Sequence, residues 1–222
     1  VITIIDYDMG NVGSILNMIR KVGGRAQVKG AADEIRAADA IVLPGVGAFD
    51  TAMGALKQRG LVAALNHAVV ERRVPVLGVC LGMQLMTSRS EEGALQGLGW
   101  IAGEARRFEF DDAHRRLKVP HMGWNRVVQR KEHPIFAGQA SEELRFYFVH
   151  SYHVVCDDAT DVLATADYGG DFVAAFQREN IIGMQYHPEK SHKFGLGVYR
   201  NFVSICSSLQ ARGDSVQRRA SA

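Results

Sequence analysis

The chain has 222 residues, 47% of them hydrophobic, enough for one sizeable core. A net charge of +2 argues against a surface built for nucleic acid, and no apolar run reaches the roughly 18 residues of a membrane span. Three cysteines, Cys80, Cys156 and Cys206, are an odd count without framework spacing. With the opening Val1-Ile2-Thr3-Ile4-Ile5 too short for a secretory signal, a reducing cytoplasm is expected. Cys156 and Cys206 sit in apolar surroundings and are expected to be inert core residues.

In chain order, residues 2–6 predict a first strand, and 11–22 carry helical spacing through Ile15, Ile19 and Val22, closed by Gly23-Gly24. Residues 40–43 predict a second buried strand, ended by Pro44-Gly45-Val46-Gly47. Helical patterns follow over 51–59 and 61–72, then a strand over 74–79 and a helix over 81–89. Apolar strands alternating with helices predict a parallel sheet covered on both faces. Beyond residue 100 the pattern changes. Residues 100–108, 126–129, 144–156, 162–168, 172–177 and 181–186 are strand-like, and Gly169-Gly170 signals a hairpin. The expected fold is α/β: a mostly parallel central sheet flanked by helices, with an added antiparallel section. It forms one domain over 1–210, closed by a helix over about 195–209. Residues 211–222 lack apolar periodicity and predict a disordered tail.

Two segments carry chemistry. Gly78-Val79-Cys80-Leu81-Gly82-Met83-Gln84 places a cysteine where an apolar run gives way to a helix. Small flanking residues suit a tight strand-to-helix turn that presents the side chain, and the helix start would favour the thiolate. Gly183-Met184-Gln185-Tyr186-His187-Pro188-Glu189 places a histidine at a strand end, with a carboxylate two residues on. Cys80, His187 and Glu189 would then act as nucleophile, base and orienting acceptor. The same residues also suit a buried strand cysteine and a loop histidine beside a solvated glutamate. Pro44-Gly45-Val46-Gly47 ends a neighbouring strand, where amides of this loop and of Leu81 would form an oxyanion hole, or where the chain simply turns. Pro120-His121-Met122-Gly123-Trp124-Asn125 and Tyr147-Phe148-Val149-His150-Ser151-Tyr152-His153 mix aromatic, methionine and imidazole groups, as interface strands and half-buried strands both do. His150 and His153, three apart on one expected strand, should face opposite sides, and no Cys/His cluster has zinc spacing. No metal and no cofactor is expected.

Taken together, these segments, with Asp6-Tyr7, Gly10-Asn11 and His187-Pro188-Glu189-Lys190-Ser191, resemble the class I (triad) glutamine amidotransferases over about residues 2–206. Within them the chain is most similar to the glutaminase subunits of imidazole glycerol phosphate synthase. The resemblance implies that Cys80 attacks the side-chain amide of L-glutamine, with His187 and Glu189 completing the triad. It assigns the oxyanion hole to Val46, Gly47 and Leu81, on a loop that can rearrange, and substrate binding to Gly45, Gln84, Glu92, Ser151 and Tyr152. It implies a heterodimer with a (β/α)8-barrel cyclase subunit that receives the ammonia, contacted through Asn11, His121, Met122, Trp124, Asn125, Tyr147 and Lys190. Nucleic acid and membrane are not expected partners. Ser191-His192-Lys193-Phe194-Gly195 and Asn11-Val12-Gly13-Ser14-Ile15 are instead similar to paralogous glutaminases that supply a sugar amidotransferase in surface-polysaccharide biosynthesis. Two readings of other classes are a cysteine hydrolase acting on other amides and a catalytically silent regulatory subunit. The Gly-Met-Gln and Pro-Gly-Val-Gly segments weigh against the hydrolase, and the intact Cys80, His187 and Glu189 against the silent form.

Overall fold

Short apolar runs of four residues, buried along their whole length, build the centre of the molecule. Such runs suit strands covered on both faces. In this computed structural model, the backbone of residues 1–220 and the side chains of residues 1–209 other than Ser141 are described. The elements follow in order. The first half contains β1 (Ile2–Ile5), α1 (Val12–Lys21), β2 (Ala26–Lys29), α2 (Ala32–Arg36), β3 (Ala40–Leu43), α3 (Phe49–Gln58), α4 (Leu61–Asn66), β4 (Val76–Val79), α5 (Leu81–Leu85) and β5 (Arg89–Ser90). The second half contains β6 (Gly103–Arg107), β7 (His121–Arg126), β8 (Val128–Gln129), β9 (Arg145–His150), β10 (Tyr152–Cys156), β11 (Val162–Asp167), β12 (Asp171–Arg178), β13 (Ile181–Met184) and α6 (His192–Ala220).

Strands β2-β1-β3-β4-β13 pair in parallel. The sheet then continues antiparallel through β12, β10 and β6, with β5 parallel to β6 at its edge and β11 and β8 branching from β12. One face buries Ile15 and Ile19 of α1 and Val198, Tyr199, Phe202 and Cys206 of α6. The other buries α3, α4 and α5 through Met53, Leu56, Leu61, Leu65 and Met83. A separate antiparallel pair, β7 and β9, lies apart from the main sheet.

The expected α/β layering holds, and the Gly169-Gly170 turn joins β11 to β12. Several local expectations are corrected. The half-buried β2 and the five-residue α2 have no counterpart among the expected elements, being too short to show a period. The helix after Cys80 stops at Leu85, because the Thr87 hydroxyl donates to the Gln84 carbonyl and the chain turns into β5. The expected strand over 144–156 is broken by a bend at Ser151, so β9 and β10 belong to different sheets. That bend brings the His150 and His153 rings onto the same partner, Phe108, at 5.2 and 4.7 Å, and not to opposite sides. The backbone of α6 is helical through Ala220, across residues expected to form a tail; Ser221 and Ala222 lie outside the described residues. Among the described residues, no helix is long and apolar enough to cross a membrane.

The loop after β3 lies directly on the first turn of α5. A Cβ at Gly82 would sit 2.0 Å from the Leu43 carbonyl oxygen, and one at Gly45 would sit 2.6 Å from the Gly82 nitrogen. Contact with backbone cannot be relieved by a rotamer change. Gly82→Ala should therefore destabilise the fold by about 2 kcal/mol or more, read as a lower urea midpoint with unchanged slope; an unchanged midpoint would show that the two segments separate freely.

Candidate active site

The parallel strands β3, β4 and β13 are neighbours, so their C-terminal ends deliver three segments to one edge of the sheet. After β4 comes Cys80, at φ 54° and ψ −112°. This left-handed backbone is uncommon for a residue with a side chain and costs about 1–3 kcal/mol, so its surroundings must hold it. The Cys80 amide donates to the Met184 carbonyl at 2.7 Å, and the Cys80 carbonyl accepts from the Met83 and Gln84 amides of α5. The turn places the sulfur at the mouth of α5, 3.9 Å from the Val149 carbonyl oxygen.

After β13 comes His187, whose Nδ1 lies 2.8 Å from Glu189 Oε1, with both side chains buried. Pro188 opens the short turn that folds Glu189 back. The turn is fastened to β9: the His187 amide donates to the Tyr147 carbonyl, and the Tyr147 amide donates to Ser191 Oγ. The Ser191 hydroxyl in turn donates to the His187 carbonyl at 2.6 Å. Among the described residues, the buried His187 Nε2 makes no hydrogen bond within the protein. Burial alone would lower the pKa of this imidazole; Cys80 and Glu189 outweigh it and raise it to about 10.

After β3 comes the Pro44-Gly45-Val46-Gly47 loop. The buried Tyr7 hydroxyl donates to the Pro44 carbonyl at 2.6 Å and anchors it. Gly47 has φ +99°, a conformation open to glycine and strained for most other residues. Val46 is 43% exposed.

These segments surround a cavity of about 300 Å³ lined by Val46, Gly47, Cys80, Leu81, Gln84, Glu92, Ser151, Tyr152, His187 and Lys190. Pro120, Val149 and His150 also line it and were not anticipated. Gly45 does not line it, because its backbone is pressed against α5. Both amide hydrogens of Gln84 are committed, to the Tyr152 carbonyl at 2.9 Å and to Gln185 Oε1 at 3.1 Å, which leaves its oxygen for a ligand. Glu92 also accepts from the Phe49 amide at 2.8 Å, at the open start of α3.

The residues expected at a protein interface divide by strand alternation. Met122 and Trp124 are 62% and 47% exposed on one face of β7. His121 points the other way and is buried, stacked on Phe148 and Tyr168, with Asn125 beside it, so it is not a surface contact in this conformation. Tyr147 meets Trp124 edge-on at 6.4 Å, Lys190 Nζ lies 5.8 Å from the Tyr147 ring, and Asn11 is exposed ahead of α1. The two other cysteines have their thiol pKa values raised to about 12, chiefly by burial. Among the described residues, no group of three His, Cys, Asp or Glu side chains could hold a metal ion.

The raised His187 pKa has a definite sign. The charged imidazole adds stability that is fully present below about pH 6.5 and is lost as pH rises through about 10. Imidazole NMR should show His187 still protonated at pH 8. Cys80→Ala and Glu189→Gln should each move its titration toward the ordinary value, and an unmoved titration in both would contradict the coupling.

The sequence matches the family Glutamine amidotransferase class-I over residues 3–205. It is 50% identical to imidazole glycerol phosphate synthase subunit HisH 2 of Pseudomonas aeruginosa, an alignment covering 92% of this chain and 99% of the relative. It is 47% identical to the Methanococcus maripaludis protein of the same name, over 91% and 98% of the two chains. In structure it is similar to a crystallised glutamine amidotransferase, with TM-score 0.68 and 15% identity over 92% of this chain and 98% of that one. The fold, the family match and these relatives lead to one conclusion: the chain belongs to the class-I glutamine amidotransferases, a family of glutamine-hydrolysing enzymes.

Proposed function

We propose that the chain is the glutaminase subunit of an imidazole glycerol phosphate synthase. It would hydrolyse L-glutamine to glutamate and ammonia and pass the ammonia to a (β/α)8-barrel cyclase subunit in histidine biosynthesis. The observation that carries this reading is a buried His187–Glu189 pair beside a strained Cys80, opening on one cavity, in a chain with near full-length HisH relatives.

The chemistry follows from the residues. The Cys80 thiolate attacks the glutamine side-chain carbonyl carbon, and amides of Leu81 and of Val46 or Gly47 stabilise the resulting oxyanion. Protonated His187 gives its proton to the departing nitrogen; the C–N bond breaks, ammonia leaves and a glutamyl thioester remains. Water then attacks the thioester as His187 takes its proton. The C–S bond breaks, restoring the thiolate and releasing glutamate. Glu189 holds Nδ1 throughout, so that Nε2 is the atom that exchanges protons. The free oxygen of Gln84 suits the substrate ammonium group, with Glu92, Ser151 and Tyr152 completing that end of the cavity.

Ammonia released into water is lost and largely protonated, so the cavity needs a sealed neighbour. The exposed Met122 and Trp124, linked through Tyr147 to Lys190 on the cavity wall, suit that contact. One observation favours the second reading, ammonia supply to a sugar amidotransferase. His192 lies in the segment similar to the polysaccharide-pathway proteins, and its ring stacks on Trp124 at 5.6 Å with planes 5° apart. The face that would choose the acceptor therefore carries the departure.

Cys80→Ala should abolish glutamine hydrolysis while leaving partner binding and ammonia-dependent synthesis intact; surviving glutamine-dependent activity would remove Cys80 as nucleophile. Trp124→Ala should weaken association with the cyclase by at least about 1 kcal/mol, with little change in unfolding temperature. Normal association with a large loss of thermal stability would make Trp124 a core residue. Turnover that the cyclase and its nucleotide ligand fail to stimulate would favour the polysaccharide route.

A further inference from the structure

Gln185 is fully buried and stands between two site residues, yet the chemistry above does not use it. Its Nε2 lies 3.8 Å from Cys80 Sγ, and its Oε1 accepts from Gln84 Nε2 at 3.1 Å. The orientation of both amides is determined. Turning Gln84 over would set its oxygen against the Tyr152 carbonyl, two acceptors at 2.9 Å. Turning Gln185 over would then set two donors against each other. The Tyr152 carbonyl is itself held by a second donor, His150 Nδ1, at 2.8 Å.

The chain continues outward with one direction. Burial lowers the His150 pKa to about 3 and the His121 pKa to about 4, so both rings are neutral at pH 7. A neutral ring that donates from Nδ1 must accept at Nε2. His150 Nε2 therefore accepts from His121 Nδ1 at 3.1 Å, and His121 Nε2 accepts from Asn125 Nδ2 at 3.3 Å. The same Asn125 nitrogen donates to the Asp167 carbonyl at 2.7 Å. Every link has a donor and an acceptor, from β7 to the sulfur.

We propose that Gln185 is a positioning residue for the nucleophile: Gln84 and the Tyr152 carbonyl orient its amide so that N–H faces Cys80 Sγ and favours the thiolate. A thiol can donate to the Val149 carbonyl 3.9 Å away, whereas a thiolate can only accept, and Gln185 offers the donor. His150 and His121 donate toward the Tyr152 carbonyl from its other side, and Asn125 ties their outer end to the strand that carries Met122 and Trp124. This role deepens the glutaminase reading and rests on it.

The test is alkylation of Cys80 by iodoacetamide as a function of pH, followed on the Cys80 peptide by mass spectrometry, in the full chain and in Gln185→Met and Gln185→Leu. Gln185→Met keeps a side chain of similar length with a weak acceptor for Gln84, adds no charge and removes the donor to sulfur; Gln185→Leu removes both donor and acceptor. The groups around the sulfur that also titrate are His187 and Glu189 after β13, Tyr7 after β1 and His150 ending β9, with Glu92 and Lys190 on the cavity wall. All are retained in both variants. Alkylation at pH 7 should slow about tenfold in each, an upward shift of about one pH unit in the profile, and kcat for glutamine should fall with KM little changed. If Gln185→Leu does not fold, Gln185→Met carries the test, its fold checked by circular dichroism. Superimposable profiles in a protein that turns over glutamine would overturn the positioning role alone. A Gln185-dependent profile in a protein that never turns over glutamine would defeat the functional reading and leave the thiolate effect standing.

Discussion

The left-handed backbone at Cys80 is fixed by contacts from three directions, and the rest of the site is arranged around it. From β13, the Met184 carbonyl takes its amide; from α5, the Met83 and Gln84 amides take its carbonyl. From the β3 loop, Leu43 and Gly45 leave no room for a side chain at Gly82. A relaxed turn would carry the sulfur away from the cavity, so the strain is a condition of its placement. The parallel sheet makes this possible because β3, β4 and β13 end side by side. Cys80, the Pro44-Gly45-Val46-Gly47 loop and His187 therefore arrive at one edge without any long excursion of the chain.

The small β7–β9 sheet has a separate task. Through Tyr147 it fastens the His187 turn, and through Val149, His150 and Ser151 it forms a wall of the cavity. Its other strand exposes Met122 and Trp124. A protein seated on β7 would thus press on the strand that pairs, residue for residue, with the one holding the base in place. That pairing is a physical route by which contact on β7 would reach the His187 turn. Activation needs a difference in contacts between two states, and Tyr147 and Lys190 lie where such contacts would change.

Much of the site was legible because its residues close apolar runs. Cys80 follows β4 and His187 follows β13, each marked by Gly or Pro nearby, and the parallel arrangement then brings them together. Met122 and Trp124 were legible as interface candidates, but strand alternation turned His121 inward, and a flat reading of the segment could not separate the two faces. The break at Ser151 was not legible, because no Gly or Pro marks it. Nor was the role of Gln185, whose partners lie 101 and 105 positions away in the chain. Tyr7 and the Phe49–Glu92 bond belong to the same class: one strand-end residue, or one carboxylate among many, acquires meaning only through distant backbone. Short elements such as β2 and α2 escaped for a different reason, having fewer residues than a period needs.

The central claim is a covalent one, and acid-quenching the chain during turnover of labelled glutamine, with the partner and its nucleotide ligand present, tests it most directly. Peptide mass spectrometry should then find a labelled glutamyl adduct on the peptide that carries Cys80, and none on those carrying Cys156 or Cys206. Steady turnover with the adduct on another residue would contradict the account.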